Sequence, residues 1–184
     1  EVSEKAARLD VLMRIPGMRS FFEQCEYATK WEASTRVMIP IVAESIYKGR
    51  LGEACGRFVL EQNGIAVADI DDAFRFEKFD FVLPGTLGDQ EVFIDFKHWK
   101  KQSDRMGWDS EKLVDWVFAK MEAIDAKKAI VANVLPPDEG DYRETYRSKG
   151  GRRLLVVPAL VKGDCSFDET VIQAIRRFTD GIAD

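Results

Sequence analysis

The sequence predicts an α/β domain in which helices flank a mixed sheet, and this prediction rests on three observations. Apolar residues recur at helical spacing in some segments and alternate with polar residues in others. The period changes from helical to two after Asn63-Gly64, a sequence typical of a helix end. The 184 residues are 46% hydrophobic and 32% charged, which is the composition of a globular chain long enough to bury a core.

Each element follows from a local signal, in the order helix, three strands, helix, strand, strand and helix. An N-terminal extension precedes this core, and Pro16-Gly17 separates its two short helices because proline and glycine interrupt a helix. Turn-forming residues at 84–90 connect two strands as a hairpin, and Asp109-Ser110 offers a cap for the next helix. The helices are predicted over 3–14, 18–30, 34–63, 110–124 and 167–180, and the strands over 65–70, 74–83, 91–98, 128–135 and 152–161. The apolar stripes of the last two helices are Leu113, Val117, Met121 and Ile124, and Val171, Ile175 and Phe178.

The length predicts one domain, with the helical extension at 1–33 and the core at 34–184. The chain begins at Glu1 rather than at a methionine, so we expect a processed chain or, in preference, a part of a longer protein with other domains. No apolar segment approaches the roughly 18 residues of a membrane span, and nothing at the start of the given sequence resembles a signal peptide. The sequence therefore predicts a cytoplasmic protein without membrane contact, and it does not determine the oligomeric state.

Cysteine and histidine are too sparse for several kinds of site. Cys25, Cys55 and Cys165 are far apart and odd in number, which excludes a disulfide framework and a CxxC motif. His98 is the single histidine, so zinc sites that need two histidines are excluded as well. Any metal is expected to be a hard cation bound by oxygen atoms, Mg²⁺ or Mn²⁺.

The segment EVFIDFKHWK, residues 91–100, places charged residues inside an apolar strand. Because side chains alternate with period two, Asp95 and Lys97 share one face. Asp80, on the preceding strand, is the carboxylate that can meet Asp95 across a strand spacing of about 4.8 Å. Two such carboxylates repel each other unless a cation lies between them. Asp95 and Lys97 are therefore either a structural ion pair or part of an active site.

Glu53 is the candidate for a third carboxylate. It lies in the helix before the sheet, on a flank that also carries Gly49, Gly52 and Gly56. Glycine costs roughly 1 kcal/mol inside a helix, so three glycines on one flank indicate a close approach by a backbone or a ligand. The alternative for Glu53 is an exposed helix charge.

Basic residues could contact nucleic acid, although the net charge of −5 argues against a protein that coats nucleic acid non-specifically. Three tryptophans, Trp99, Trp108 and Trp116, flank one basic stretch, and aromatic rings can stack on bases. Each candidate also has a structural alternative. The basic residues can belong to a solvated loop, the tryptophans can be core residues, and Lys120 can be a snorkelling lysine whose ammonium reaches water. His98 is expected to pack or to make a surface contact rather than to act in catalysis. The candidate nucleic-acid-binding residues are Lys48, Lys100, Lys101, Arg105, Lys120, Arg143, Arg147, Arg152 and Arg153.

Together, Glu53 in a helix, Asp80 on a strand and Asp95-Phe96-Lys97 on the next strand resemble the PD-(D/E)XK nuclease superfamily. The resemblance covers roughly residues 44–135 and implies the restriction-endonuclease-like fold with an αβββαβ core. The sequence departs from the nominal motif at Phe79, where the family name has proline.

The resemblance implies a Mg²⁺- or Mn²⁺-dependent nuclease, a phosphodiester hydrolase acting on DNA in preference to RNA. Asp80, Asp95 and the backbone carbonyl of Phe96 would hold the metal, with Glu53 helping directly or through water. Lys97 would orient or deprotonate the attacking water. The alternative is an inactive nuclease-like module that binds nucleic acid or protein in a larger assembly. An enzyme of another class is disfavoured, because no glycine-rich phosphate loop or nucleophile elbow is present.

Overall fold

The computed structural model describes residues 14–18, 20, 40–85, 91–97, 111–137 and 143–181, and for 40–48 only the backbone. In these residues helices flank a five-stranded mixed sheet, which confirms the predicted α/β class. The helices are α1 (Pro40–Gln62), α2 (Ala73–Phe76), α3 (Glu111–Ala123) and α4 (Glu169–Asp180). The strands are β1 (Phe81–Leu83), β2 (Val92–Lys97), β3 (Lys128–Asn133), β4 (Thr145–Lys149) and β5 (Arg152–Val157).

The sheet has the order β1-β2-β3-β5-β4. The three central strands are parallel, and the strands at the two edges run antiparallel to their neighbours. Every residue of β3 is buried, as expected for a parallel strand that is covered on both faces. None of the helices in the described residues is both long and apolar enough to cross a bilayer.

The two faces of the sheet carry separate apolar clusters. On one face, α3 packs on Phe93 and Val131. On the other face, Val59 of α1 and Ile175 of α4 belong to a cluster that includes Ile94. Asp95 alternates with Ile94, so it lies on the α3 face, as the period of two predicts.

The predicted apolar stripes of α3 and α4 are confirmed. Leu113, Val117 and Met121 are buried in α3, and Ile124 packs against the same cluster just after the helix. In α4, the stripe residues Val171, Ile175 and Phe178 are all buried. The side chain of Asp168 caps the start of α4 by accepting the N–H of Thr170 at 3.1 Å.

The strand predicted at 65–70 is reduced to one antiparallel bridge between Ala68 and Val82. The two backbone hydrogen bonds of this bridge measure 2.8 and 3.0 Å. Ile65 and Val67 are buried in the core, while Asp69 is exposed and pairs with Arg57 at 2.9 Å. The alternation of apolar and polar residues is therefore present, but it forms an extended connection instead of a strand.

The strand predicted at 74–83 is wrong over its first half. Ala73–Phe76 form the short helix α2, because the side chain of Asp72 caps it by accepting the N–H of Arg75 at 2.8 Å. Phe74 and Phe76 are exposed, so these two aromatic residues do not belong to the buried face of a strand. Only Phe81–Leu83 form a strand.

Residues 143–151, which lie between the strands predicted at 128–135 and 152–161, contain the additional strand β4. It forms a hairpin with β5 across Gly150 and Gly151, whose φ angles of 56° and 76° are those of a tight hairpin turn that favours glycine. The final strand ends at Val157, before Pro158, and is shorter than predicted because proline cannot donate a ladder hydrogen bond.

Most of the N-terminal extension lies outside the described residues. The described part, residues 14–18 and 20, includes a turn through Pro16 and Gly17, as the sequence predicts. Ile15 and Met18 are buried in the cluster around α1. A Cβ on Gly17 would come within 2.9 Å of the Phe58 ring, so the turn packs closely on that helix.

Candidate functional site

A cavity of about 380 Å³ opens at the ends of β1 and β2. Its wall combines three carboxylates and three ammonium groups with aromatic rings. The lining residues are Phe76, Glu77, Lys78, Phe79, Asp80, Asp95, Lys97, Trp116 and Lys120. The cavity thus contains three of the four predicted catalytic residues.

Asp95 is the most buried charged group of the cavity, with only 2% of its surface exposed. One carboxylate oxygen, Oδ1, accepts a hydrogen bond from Nζ of Lys97, two residues along the same face of β2. The other, Oδ2, accepts from Nζ of Lys120, which reaches it from α3, at 2.6 Å. A buried carboxylate requires such partners, and here two ammonium groups share one carboxylate.

Asp80 is the residue just before β1, and its side chain lines the cavity. Its backbone N–H donates to the carbonyl of Ile94 at 3.0 Å, and its side chain accepts the N–H of Phe96 at 2.6 Å. The Asp80 carboxylate therefore accepts the hydrogen bond that a backbone carbonyl of a neighbouring strand would otherwise accept from Phe96. In an extended strand the N–H and C=O of one residue point the same way, so the carbonyl of Phe96 is also directed towards this edge.

The electrostatic environment of Asp80 is unfavourable for a second negative charge. Burial, the charge of Asp95 and the charge of Glu53 raise the pKa of Asp80 from 3.8 to about 8, although Lys97 and the Phe96 N–H act in the opposite direction. A cation beside Asp80 would relieve this repulsion. The pKa of Lys120 is lowered, mainly by burial, despite its contact with Asp95.

Glu53 lies on α1 near this pair but is not a lining residue of the cavity. Its carboxylate is 3.3 Å from a guanidinium nitrogen of Arg50, and 22% of its side chain is exposed. Its charge nevertheless contributes to the raised pKa of Asp80. The structure therefore places Glu53 within electrostatic range of the two aspartates.

The predicted close approach along the glycine flank of α1 occurs at Gly56. A Cβ there would come within 2.3 Å of the Phe96 ring, so the helix backbone packs directly on the residue between Asp95 and Lys97. Gly52 is buried. The prediction is wrong for Gly49, which is exposed and would place a Cβ in open space.

The donor atoms fit a hard cation in their chemistry. Mg²⁺ in enzymes is often held by one or two carboxylates, with water and substrate phosphate completing the shell, and Asp80, Asp95 and the carbonyl of Phe96 offer such oxygens. Within the described part of the chain, no group of three or more acidic, histidine or cysteine side chains is close enough to hold a metal. The protein therefore supplies two carboxylates to a candidate site, with Glu53 more distant.

Lys120 and Trp116 complete the wall on the side of α3. The ammonium nitrogen of Lys120 lies 4.3 Å from the ring centroid of Trp116 and 4.7 Å from that of Phe79. The ammonium of Lys97 lies 5.6 Å from the Trp116 centroid. The sequence analysis did not predict the ion pair between Lys120 and Asp95. The position of Lys120 in the apolar stripe of its helix could have indicated a buried acidic partner on the sheet.

The remaining predicted basic residues are not shown to adjoin the cavity. Arg152 pairs with Asp125 at 3.3 Å, and Arg153 lies over the Phe178 ring. Arg153 is in register with Lys128 at the start of β3, whereas Lys97 is in register with the end of β3. The arginines at the start of β5 therefore lie at the end of the parallel strands that is remote from the cavity. Arg143 is exposed and Arg147 is half-buried. The side chain of Lys48, together with Lys100, Lys101, Arg105, His98, Trp99 and Trp108, lies outside the described residues.

The candidate site is thus a mixed cluster of carboxylates and ammonium groups in an open cavity at the end of a buried strand. Clusters in which burial and like charges shift a pKa strongly occur preferentially at functional sites. Comparison with protein-family models and with curated proteins finds no match for the chain.

Proposed function

We propose that the protein is a Mg²⁺- or Mn²⁺-dependent nuclease that hydrolyses phosphodiester bonds, with DNA favoured over RNA. The observation that carries this proposal is the convergence of Asp80, Asp95 and Lys97 on one open cavity. The order of elements also supports it: α1, the Ala68 bridge, β1, β2, α3 and β3 follow one another along the chain. This order is compatible with the αβββαβ core that the resemblance implies.

Asp80, Asp95 and the carbonyl of Phe96 would hold the metal, and Glu53 would act through water. A bound divalent cation supplies a more acidic water and stabilises charge on the phosphoryl oxygens. Lys97 is held beside Asp95, where its ammonium can orient the attacking water and attract the phosphate. The pairing of Asp95 with Lys97 and Lys120 fixes the orientation of its carboxylate.

A cleavage assay on single- and double-stranded DNA and RNA tests the proposal. We expect cleavage in Mg²⁺ or Mn²⁺ that EDTA abolishes, and a loss of about 10²-fold or more in Asp80→Asn, Asp95→Asn and Lys97→Met. The exposed Asp71 provides the matched control, Asp71→Asn, which should cleave at the wild-type rate. Circular dichroism verifies that each variant is folded.

The outcome that contradicts the proposal is wild-type cleavage by folded Asp80→Asn and Asp95→Asn. Asp80→Asn is the more informative variant, because asparagine retains an acceptor for the Phe96 N–H and removes only the charge. Asp95→Asn in addition leaves two ammonium groups without their shared carboxylate, which can lower stability.

The second candidate is a nuclease-like module without catalysis, and the occupation of both Asp95 oxygens by lysine favours it. In that case the triad of Lys97, Asp95 and Lys120 is a structural ion-pair network. Titration with Mn²⁺ by calorimetry separates the two functions. The nuclease binds Mn²⁺, and Asp80→Asn weakens that binding, whereas the module shows no binding heat and contacts its partner equally well in EDTA.

A further inference from the structure

We propose that Lys120 is a second catalytic cation, which contacts the phosphoryl group of the substrate together with Lys97. This inference rests on the proposed nuclease function and deepens it. The resemblance assigns one lysine to the reaction, whereas the geometry points to two. Both ammonium groups bond the same buried carboxylate from different elements, β2 and α3.

Lys120 is directed into the cavity and not towards the surface. Only 12% of its side chain is exposed, compared with 18% for Lys97. A snorkelling lysine keeps its ammonium in water, but the ammonium of Lys120 lies against two aromatic rings and the Asp95 carboxylate. The aromatic contacts hold the charge at a fixed place on the cavity wall.

The charges of the site favour a role for both lysines. The carboxylates of Asp80 and Asp95 would offset the charge of one divalent cation, and Glu77 and Lys78 of the cavity wall offset each other. Lys97 would then offset the single negative charge of a phosphodiester. The pentacovalent transition state carries one further negative charge, which the ammonium of Lys120 balances. An interaction that strengthens as the transition state forms raises the rate of the chemical step.

The space for the substrate lies between the same groups. A phosphate that bound to a cation held by Asp80 and Asp95 would enter the cavity that Lys97, Lys120 and Trp116 also line. Lys120 therefore stands at the wall of the substrate space, on the side of α3. A lysine with a purely structural role requires only its carboxylate partner and no open cavity beside it.

The test combines cleavage with Mn²⁺ affinity, measured on the same folded variants. Lys120→Met should lower the cleavage rate by about 10²-fold, and Lys120→Arg should retain more activity than Lys120→Met because the positive charge remains. At the same time Lys120→Met should bind Mn²⁺ more tightly, by about tenfold, because one positive charge beside Asp95 is removed. Lys112, exposed on the same helix, gives the matched control Lys112→Met, which should change neither quantity.

The cleavage rate and the Mn²⁺ affinity of Lys120→Met change in opposite directions if Lys120 acts in catalysis, and in the same direction if it only positions Asp95. If Lys120 only positions Asp95, Lys120→Met loses Mn²⁺ affinity and cleavage together, and the inference is overturned. Cleavage by Lys120→Met at the wild-type rate also overturns it, while the nuclease function stands. Absence of cleavage by the wild-type protein refutes the proposed function itself, and the role of Lys120 with it. Lys120→Gln, which keeps a hydrogen-bond donor to Asp95, gives the same comparison if the methionine variant does not fold.

Discussion

Asp80→Asn should stabilise the metal-free protein at neutral and alkaline pH. The folded state raises the pKa of Asp80 from 3.8 to about 8, so between these values the folded protein binds more protons than the unfolded chain. Stability therefore falls as the pH rises through this window. This is the opposite of the usual aspartate, whose pKa is lowered on folding.

The size of the effect follows from the same shift. With about 1.4 kcal/mol for each pKa unit, the contribution of Asp80 to the free energy of unfolding falls by about 4 kcal/mol from pH 5 to pH 9. Asparagine has nearly the same shape, can still accept the Phe96 N–H and does not ionise. The stability advantage of Asp80→Asn over the wild type should therefore increase across this range by an amount of that order.

Urea unfolding in EDTA at several pH values between 5 and 9 measures this difference, with the exposed Asp71→Asn as the matched control. Millimolar Mg²⁺ should then stabilise the wild type more than Asp80→Asn, because a ligand that binds only the folded state stabilises it. Parallel pH profiles for wild type and Asp80→Asn would show that Asp80 carries no unfavourable charge. The electrostatic argument for a cation at this carboxylate would then be refuted.

Three further substitutions test the elements that position the site, each by urea unfolding. Gly56→Ala should destabilise by about 1–3 kcal/mol, because the new Cβ would meet the Phe96 ring at 2.3 Å; unchanged stability would contradict the close packing of α1 on β2. Gly49→Ala, in the same helix with open space around it, should stabilise by about 0.5–1 kcal/mol, and a loss of stability would contradict its exposed position. Asp168→Ala should lower the free energy of unfolding by about 1 kcal/mol, because the N–H groups at the start of α4 lose their acceptor; an effect near zero would show that the cap is dispensable.

The sequence predicts the fold well where the spacing of the apolar residues matches the residues that the fold buries. In α3 the apolar residues Leu113, Val117 and Met121 recur at helical spacing, and all three are buried. The face shared by Asp95 and Lys97 was predicted correctly because β2 is a regular strand over both residues. At such positions local geometry determines the direction of a side chain.

The errors arise where a local hydrogen bond overrides the pattern. The alternation at Phe74 and Phe76 has the period of a strand, but the cap at Asp72 starts a helix there. The acidic pair Asp71-Asp72 was the available signal, since aspartate is a preferred helix cap. The pairing of Lys120 with Asp95 depends on how α3 crosses the sheet, which periodicity alone does not determine.

The missing half of the predicted strand and the existence of the cavity have the same cause. A strand continuing from β1 through residues 74–80 would have placed its backbone along the edge of β2 and paired with Phe96. Instead the cap at Asp72 diverts the chain into α2, β1 begins only at Phe81, and the carboxylate of Asp80 takes the N–H of Phe96. Residues 76–80 then form one wall of an open space instead of a covered sheet edge. The short β1 therefore leaves Asp80 on the wall of an open cavity, where a ligand can reach its carboxylate, which a regular hairpin would have prevented.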